Sequence, residues 1–463
     1  MAIWQARIES TASAKYLGIV AALQADIYSG YVKAGDQLPT QRQIAAQLQV
    51  DLTTVTRAFN EAKKRGLIEA TTGRGSFVRQ HVEAKLITHI TPQNPLLDLS
   101  MNNPPQPASA DLQHAIPDGI QQLISGAERV LQLHYQDSAG NPQDRQAATD
   151  WLNQTLPDIS VNRTLITAGA QAALYAIVKC ICQPGQGIAC GEFVYPGLKA
   201  VADEQKLQLY PVKMDRQGML PEAFDALCKQ QRISVLYVVP AMDNPTMATL
   251  PLARRQQLVE IARSYNVVII EDDPYSILMP ERDPAFIELA PELTWHIRTL
   301  AKCITPALRL AYVVSPTDAL AREVANFCRA ASVMVSPLMS ALVTSWIVSG
   351  KINWFAQSIS QENQLRQQLA QRILAGTDYS ADPHGHHLWL RLPGQWQAEA
   401  FTQQARLIGV SVVSSTEFAV TDNPAAAVRL SIGLMPDLVA LEQALSILKM
   451  LLNQPASPRR TIV

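Results

Sequence analysis

Short runs of apolar residues alternate with helical segments from about residue 165 onward. The runs GIAC, SVLYVVP, NVVIIED and RLAYVVSP are separated by stretches with the period of a helix, such as AQAALYAIVKCI and the region around Leu252–Tyr265. Strands rich in Val and Ile that alternate with helices predict right-handed crossovers and a mostly parallel sheet covered on both faces. Ligands bind such sheets where strands end and helices begin. The sequence therefore predicts an α/β fold with a site at the strand ends.

Composition narrows the class of protein. The chain has 463 residues, 48% of them hydrophobic and 17% charged, so we expect two or three domains with large buried cores. It contains no run of about eighteen apolar residues, and its N-terminus lacks the apolar stretch of a secretory signal. The six cysteines have neither metal-site spacing nor the density of a disulfide-rich secreted protein. These features predict a cytoplasmic protein without a membrane span or a metal site.

The first eighty residues have the pattern of a small DNA-binding domain. A predicted helix around Tyr16–Ile27 is followed by LPTQRQIAAQL, in which Thr40 and Gln43 can form a capping box. The next helix, TTVTRAFNEAKKRG, has one apolar stripe and places Thr54 and Arg57 near its start on the opposite face. Two short helices joined by a tight turn, the second with hydroxyls and an arginine near its N-terminal end, are typical of a helix-turn-helix.

A hairpin is predicted next, in LIEATTGRGSFVR. Its two strands flank a Gly73-Arg74-Gly75 turn, the shape of a wing whose tip can reach the DNA backbone. Residues 1–79 contain ten Lys and Arg against six Asp and Glu, a balance of +4 that is only a weak pointer to nucleic acid. A small helical domain with a solvated basic face is the alternative. The order of helix, capped helix, exposed helix and hairpin favours DNA binding.

Three motifs at predicted strand ends could carry chemistry. Residues 169–171, GAQ, lie between a strand and a helix, where free backbone N–H groups suit a phosphate. Asp272 ends the strand VVIIE, and a carboxylate there can pair with a pyridinium nitrogen and keep that ring protonated as an electron sink. Tyr275 follows it, and Asn244 ends the strand SVLYVVP. Each of these two side chains can donate a hydrogen bond to a phenolic oxygen on the same ring.

A fourth motif pairs a lysine with an arginine. Lys302 follows Thr299, and a lysine in a desolvated pocket has a lowered pKa and can form a Schiff base with an aldehyde. Arg309 offers a bidentate fork for a phosphate, and Thr299 offers a hydroxyl. Each motif alone has a commonplace alternative: a helix start, a turn, a surface charge or a surface lysine. Their order along the chain indicates one ligand site.

The order G-A-Q, Y, N-P-T, D-x-x-Y, T-x-A-K, R and R resembles that of the fold-type I aminotransferases, and the likeness runs over residues 100–455. Residues 12–79 resemble the winged-helix domain of the GntR regulators through LPTQRQIA and TVTRAF…GLIE…GRGSFV. The combination resembles the MocR/GabR regulators, in which a winged helix-turn-helix precedes an aminotransferase-like domain.

This resemblance implies pyridoxal 5′-phosphate (PLP) as the cofactor and Lys302 as the catalytic lysine that binds it as a Schiff base. It implies Asp272 as the partner of the pyridinium, Tyr275 and Asn244 as donors to the phenolic oxygen, and Tyr195 as the aromatic that stacks on the ring. The residues implied to hold the phosphate are Gly169, Ala170, Gln171, Thr299, Arg309 and, from the neighbouring subunit, Tyr135.

The resemblance also implies two kinds of partner. Arg429, in VRLSIG, matches the arginine that binds the carboxylate of an amino compound, here the effector; a surface arginine at a strand start is the alternative. Double-stranded DNA is the second partner. The residues implied to contact it are Arg42, Thr54, Arg57 and Arg74.

The predicted organisation is a winged helix-turn-helix followed by a fold-type I domain with a seven-stranded-type sheet and a small C-terminal α+β subdomain. The predicted boundaries are residues 1–80 for the DNA-binding domain, 81–110 for a linker, 111–455 for the PLP-binding domain with its subdomain at about 345–455, and 456–463 for a tail.

Three positions depart from the family pattern. Met247 and Ala311 stand where the family has glycine, and Ala301 stands where it usually has serine. Extra side chains at places where backbone approaches closely are expected to tighten or reshape the effector pocket. We expect them to affect turnover more than cofactor binding.

Two functions remain open at this point. The first is a ligand-sensing transcriptional regulator, in which an amino compound or PLP itself shifts a head-to-tail homodimer between two arrangements. The second is an active aminotransferase that carries a DNA-binding head. A catalytically dead scaffold is disfavoured because the Lys302, Asp272 and Asn244 set is intact.

Overall fold

The chain forms two compact units, Met1–Pro92 and Gln93–Val463. The structure is a computed structural model, and it describes residues 4, 6–7, 15–28, 31–33, 35–64, 67–71, 75–78, 97–125, 134–156 and 158–454. The predicted linker over residues 81–96 and the predicted tail over 456–463 therefore lie outside the described residues. The predicted domain boundaries stay predictions.

The described residues of the first unit form three helices and a two-stranded hairpin. They are α1 (Lys15–Tyr28), α2 (Gln41–Leu48), α3 (Leu52–Lys64), β1 (Ile68–Thr71) and β2 (Gly75–Val78). The strands pair in antiparallel fashion, as a wing does. This order of elements matches the predicted winged helix-turn-helix.

Helix α2 begins at the predicted capping box. The hydroxyl of Thr40 accepts a hydrogen bond from the backbone N–H of Gln43, and the Gln43 side chain accepts one from the backbone N–H of Thr40. Two backbone donors that the helix itself cannot satisfy are thus paired. On α3, the predicted apolar stripe is buried, including Val55 and Phe59. The helix therefore turns its polar face to solvent.

The second unit contains the remaining elements of the described chain. Its helices are α4 (Leu112–Ser125), α5 (Pro142–Leu152), α6 (Ala170–Ile181), α7 (Pro196–Glu204), α8 (Pro221–Gln230), α9 (Leu252–Tyr265), α10 (Phe286–Leu289), α11 (Asp318–Ser332), α12 (Pro337–Val348), α13 (Lys351–Ile373), α14 (Ala398–Leu407) and α15 (Leu438–Leu452). Its strands are β3 (Leu97–Asp98), β4 (Thr164–Thr167), β5 (Gly187–Gly191), β6 (Gln208–Val212), β7 (Met214–Asp215), β8 (Gly218–Met219), β9 (Ile233–Val238), β10 (Val268–Asp272), β11 (Thr294–Thr299), β12 (Ala311–Val314), β13 (Tyr379–Ser380), β14 (His387–Arg391), β15 (Val410–Ser411), β16 (Val413–Ser414) and β17 (Ala427–Ser431).

A seven-stranded sheet organises this unit, in the order β4-β12-β11-β10-β9-β5-β6. Strand β12 is antiparallel to both of its neighbours, and the other pairings are parallel. Alternate residues of the central strands enter two separate hydrophobic clusters: Val235 and Ile270 join one, whereas Leu236 and Ile269 join the other. Both faces of the sheet are therefore covered, which confirms the predicted α/β fold.

A smaller sheet lies in the C-terminal part, in the order β13-β14-β17-β16 with antiparallel pairing throughout. Helices α14 and α15 pack on it around a core that includes Leu388, Val428 and Leu445. Strand β3 pairs with β15, and Leu99 enters the same core. The chain thus joins the C-terminal part at residue 97, through a separate two-stranded sheet, within the stretch assigned to the linker from sequence.

Met247 occupies a turn that favours glycine. Its φ is +62°, in the left-handed region, and its backbone N–H donates to the carbonyl of Asp243 at 2.7 Å. The side chain is buried and belongs to the large core cluster. Of the three departures from the family pattern, only Ala301 lines the cavity described below. The expectation that Met247 and Ala311 reshape the pocket is therefore wrong, because their side chains are directed into the core.

At position 247, a glycine variant should be more stable to unfolding than an alanine variant, which is the reverse of the usual order. Left-handed backbone costs an L-residue roughly 1–2 kcal/mol, so Met247→Gly should be more stable than Met247→Ala by about 1 kcal/mol in urea unfolding. The matched control is Met219, also buried but without positive φ, where the alanine variant should be the more stable one. If the alanine variant were the more stable one at both positions, or the glycine variant at both, the left-handed backbone of Met247 would not explain the result.

Candidate functional site

Ten of the eleven residues predicted to hold the cofactor line one cavity of about 160 Å³ in the second unit. It lies where β4, β9, β10 and β11 end and where α6 begins, as the strand-end rule predicts. The ten are Gly169, Ala170, Gln171, Tyr195, Asn244, Asp272, Tyr275, Thr299, Lys302 and Arg309. The exception is Tyr135, described below.

Asp272 presents one free carboxylate oxygen. The hydroxyl of Tyr237, on the neighbouring strand β9, donates to Asp272 Oδ2 at 2.7 Å. Oδ1 is buried and has no hydrogen-bond partner among the described residues. Burial raises the pKa of Asp272 to about 6, and the hydrogen bond from Tyr237 opposes that rise. A cationic N–H placed at Oδ1 would satisfy this oxygen and keep the carboxylate ionised.

Tyr275 and Asn244 have donors left for a ligand. The hydroxyl of Tyr275 accepts a hydrogen bond from Asn102 Nδ2 at 2.9 Å, which leaves its own hydrogen available. Asn244 Oδ1 accepts from the guanidinium of Arg429 at 2.9 Å, so the amide is oriented with its Nδ2 as the remaining donor. Burial raises the pKa of Tyr275, so the phenol stays protonated. Both side chains can therefore donate to one oxygen acceptor.

Lys302 is partly buried in this cavity, and its Nζ donates to the main-chain carbonyl of Asn102. Burial, reinforced by the charge of Arg429, lowers the pKa of Lys302 to about 8, while Asp272 acts in the opposite direction. A substantial fraction of the amine is thus neutral near physiological pH. This is the protonation state that a lysine needs in order to attack an aldehyde.

The other end of the cavity suits an anion. Helix α6 begins after Gly169, whose φ is +91°, and no side chain caps its first N–H groups. A Cβ on Gly169 would lie 3.2 Å from the Arg309 guanidinium, so glycine allows the backbone and this cation to approach closely. The positive end of the helix and the arginine together favour a phosphate.

Arg429 is buried beside the cavity rather than exposed at a strand start. Its guanidinium donates to the Ser100 carbonyl at 2.6 Å and lies 4.9 Å from the ring centroid of Phe418. Burial lowers the pKa of Arg429 to about 10, against an opposing effect of Tyr275. The Nε atom is buried without a partner among the described residues. The surface alternative from the sequence is therefore wrong.

Tyr135 is placed apart from the cavity, with 82% of its surface exposed. It lines a different and larger hollow, together with Arg322 and Arg329 of α11. Its predicted role requires the neighbouring subunit and stays a prediction.

The implied DNA-contacting residues lie in the first unit. Arg42 and Arg57 are exposed on α2 and α3, and Thr54 is half-buried near the start of α3. The guanidinium of Arg57 lies 4.8 Å from the ring centroid of Tyr16, which supports its position on the helix surface. Arg74 lies outside the described residues.

Two residues of the site were missed from the sequence. Tyr237 is inside the run SVLYVVP, where it counts as one more apolar strand residue. Asn102 is in LLDLSMNN, at the end of the predicted linker. The signal available for Tyr237 was a phenol in a fully buried strand, since such a hydroxyl needs a partner. No local pattern pointed to Asn102.

Comparison with known proteins identifies the family of each unit. The aminotransferase class I and II model matches residues 94–445, and the model of the bacterial regulatory proteins of the gntR family matches residues 15–78. The uncharacterized HTH-type transcriptional regulator YdeF of Bacillus subtilis is 30% identical over 97% of this chain and 97% of its own length. The vitamin B6 salvage pathway transcriptional repressor PtsJ of Salmonella typhimurium is 27% identical over 81% of this chain and 85% of its own.

The chain belongs to the GntR regulators that carry an aminotransferase class I and II domain. This confirms the predicted family, and with it DNA binding by the first unit and PLP as the cofactor of the second. A solved kynurenine aminotransferase of Pyrococcus horikoshii covers 78% of the regulator and 91% of its own chain at a TM-score of 0.72 and 20% identity. That likeness supports the fold alone.

The cavity of the regulator fits PLP by three observations. Asp272 Oδ1 is an unpaired buried acceptor that suits a pyridinium N–H. The uncapped start of α6 beside Arg309 suits a phosphate. Lys302 has the lowered pKa that attachment to an aldehyde requires.

Among the residues that the structure describes, no helix is both long and apolar enough to cross a membrane.

The rate at which the cofactor-free regulator attaches PLP should depend on the ionisation of Lys302. The rate should rise with pH through a midpoint near 8 and then level off, because only the neutral amine reacts. Asp272→Asn should move the midpoint to lower pH, since Asp272 raises the pKa of Lys302, and Arg429→Gln should move it to higher pH. Stopped-flow absorbance measures the rate. Shifts of both variants in one direction would refute this account.

Proposed function

We propose that the regulator senses an amino compound through PLP held in its second unit and adjusts DNA binding by its first. In this proposal Lys302 is the covalent attachment point, and Asp272 pairs with the ring nitrogen. The ring oxygen receives hydrogen bonds from Tyr275 and Asn244, and Tyr195 stacks on the ring. The residues proposed for the phosphate are Gly169, Ala170, Gln171, Thr299, Arg309 and Tyr135 of a second copy.

One observation carries the proposal: a partly buried lysine of lowered pKa shares a cavity with a carboxylate oxygen that has no partner among the described residues, in a chain that also has a GntR domain. When bound, PLP supplies an aldehyde that reacts reversibly with primary amines and a ring that accepts electrons. The chain's own residues bind, orient and enclose it. Lys302 holds or releases a proton at Nζ, and the Asp272 carboxylate keeps the proton on the ring nitrogen.

The effector side of the site is proposed to be the buried guanidinium of Arg429. A buried arginine with a free Nε–H favours a carboxylate because two parallel hydrogen bonds can form. PLP itself is a second possible signal, supported by the name of PtsJ as a vitamin B6 salvage repressor. For either signal, the ligand must bind two arrangements of the regulator with different affinity.

A homodimer is part of the proposal. The exposure of Tyr135, a residue implied to reach a neighbouring cofactor, is the observation that supports it. Two copies would supply two DNA-contacting surfaces, formed by Arg42, Thr54, Arg57 and Arg74, for a two-part operator. A DNA-binding protein works where the chromosome is, and we propose the cytoplasm as its location.

Lys302→Ala should separate cofactor attachment from DNA binding. The variant should lose the visible absorbance band of the PLP-loaded protein, and borohydride should fix no cofactor on it, whereas it should still bind a fragment from beside its own gene. Lys229→Ala, an exposed lysine paired with Asp225, is the control that should keep both properties. If borohydride modified Lys302→Ala as fully as the parent chain, the attachment point would be wrong.

Transamination is a second candidate function, favoured by the clustering of Lys302, Asp272 and Asn244 at one cavity. We expect at most slow, partial conversion of amino donors with 2-oxoglutarate or pyruvate. Steady-state assays on the loaded regulator measure it. Sustained multiple turnover would make the chain an aminotransferase with a DNA-binding head and would remove the sensor as its main role.

A further inference from the structure

Asn102 is a buried residue with three polar groups close to Lys302. It is 7% exposed and lies four residues after β3, at the start of the second unit. Its main-chain carbonyl accepts a hydrogen bond from Lys302 Nζ. Its Nδ2 donates to the Tyr275 hydroxyl at 2.9 Å. Asn102 is therefore bonded to two residues of the cofactor site, to Lys302 through its main chain and to Tyr275 through its side chain.

The third polar group, Asn102 Oδ1, is buried and has no partner among the described residues. Buried acceptors without a donor are uncommon in folded proteins, and water or a ligand usually supplies the missing hydrogen. The fixed Nδ2 prevents the amide from turning to pair Oδ1 elsewhere without losing its bond to Tyr275. Oδ1 thus stays available to a donor that enters the site.

The position of Lys302 Nζ indicates which donor would pair with Asn102. Lys302 Nζ and the nitrogen of an incoming primary amine would both bond to the aldehyde carbon of PLP. The incoming nitrogen therefore has to approach the place that Nζ occupies. The carbonyl that receives Nζ is therefore placed to receive the nitrogen of the incoming amine. An ammonium or amine group has several N–H donors, and the Asn102 carbonyl and Oδ1 together offer two acceptors.

We propose that Asn102 is a specificity-determining residue that holds the amino group of the effector through Oδ1 and its main-chain carbonyl. This rests on the proposed function and deepens it. Arg429, which donates to the carbonyl of Ser100 two residues earlier, holds the carboxylate of the same molecule. The site then distinguishes a compound with both groups from the same skeleton without the amine.

The test compares L-alanine with propionate, which have the same carbon skeleton with and without the amine. Calorimetry on the PLP-loaded full chain measures both affinities. Asn102→Ala should weaken L-alanine binding about tenfold, the loss of one hydrogen bond to a charged group, and should change propionate binding by less than about twofold. Asn102→Leu, close to asparagine in shape, gives the same comparison if the alanine variant does not load with PLP.

A second variant separates amine binding from support of Tyr275. Asn102→Asp keeps both acceptors but loses the Nδ2 donor, so it should retain the preference for L-alanine. If Asn102 served only to hold Tyr275, the alanine and aspartate variants would weaken both ligands alike, which would overturn the inference. Asn103→Ala is the matched control, since Asn103 has no side-chain hydrogen bond in the described part of the chain.

Failure of this inference is distinguishable from failure of the proposed function. If the unmodified chain binds L-alanine no better than propionate, the amine-sensing function fails and the role of Asn102 fails with it. If the unmodified chain prefers L-alanine and Asn102→Ala keeps that preference, only the inference is overturned.

Discussion

Three consecutive carboxylates at the end of β10 are buried, and the way each is compensated shapes the site. Glu271 accepts hydrogen bonds from the His296 ring and from the backbone N–H groups of Phe286 and Ile287. Asp273 pairs with Arg298, and although burial acts to raise the pKa of Asp273, Arg298 and His296 lower it. Asp272 between them receives a single hydrogen bond. The protein thus satisfies two of the three carboxylates and leaves the middle one with an unpaired oxygen, which we propose the cofactor pairs.

Unpaired polar atoms at the cofactor site lower the stability of the cofactor-free protein. A buried donor or acceptor without a partner destabilises a fold by on the order of 1–3 kcal/mol. Among the described residues, such atoms occur on Asp272 and Asn102, as acceptors, and on Arg429, as a donor. Binding a cofactor with a ring N–H and an effector with an amine and a carboxylate would pair all three. We therefore expect the apoprotein to be the less stable form, with PLP stabilising the second unit by mass action.

The fold and most of the cavity were accessible from the sequence because they follow from periodicity. The apolar period placed α6 and α9 at the residues where the structure has them, and parallel strands bring their carboxyl ends to one edge. Strand β11 was not found, since His296 and Arg298 interrupt its apolar run. Their burial is compensated by Glu271, on the adjacent strand β10, and by Asp273, which directly follows that strand. Contacts between distant segments, such as Tyr237 with Asp272 and Asn102 with Lys302, leave no local pattern.

The pairing of β3 with β15 limits where this chain can tolerate an inserted or deleted residue. Successive side chains of a strand face opposite ways, so one inserted or deleted residue between Leu97 and Asn102 would exchange the buried Leu99 with a neighbour and carry Asn102 away from Tyr275. A change of length between Leu97 and Asn102 is therefore expected to disturb the core of the C-terminal sheet and the cofactor site together.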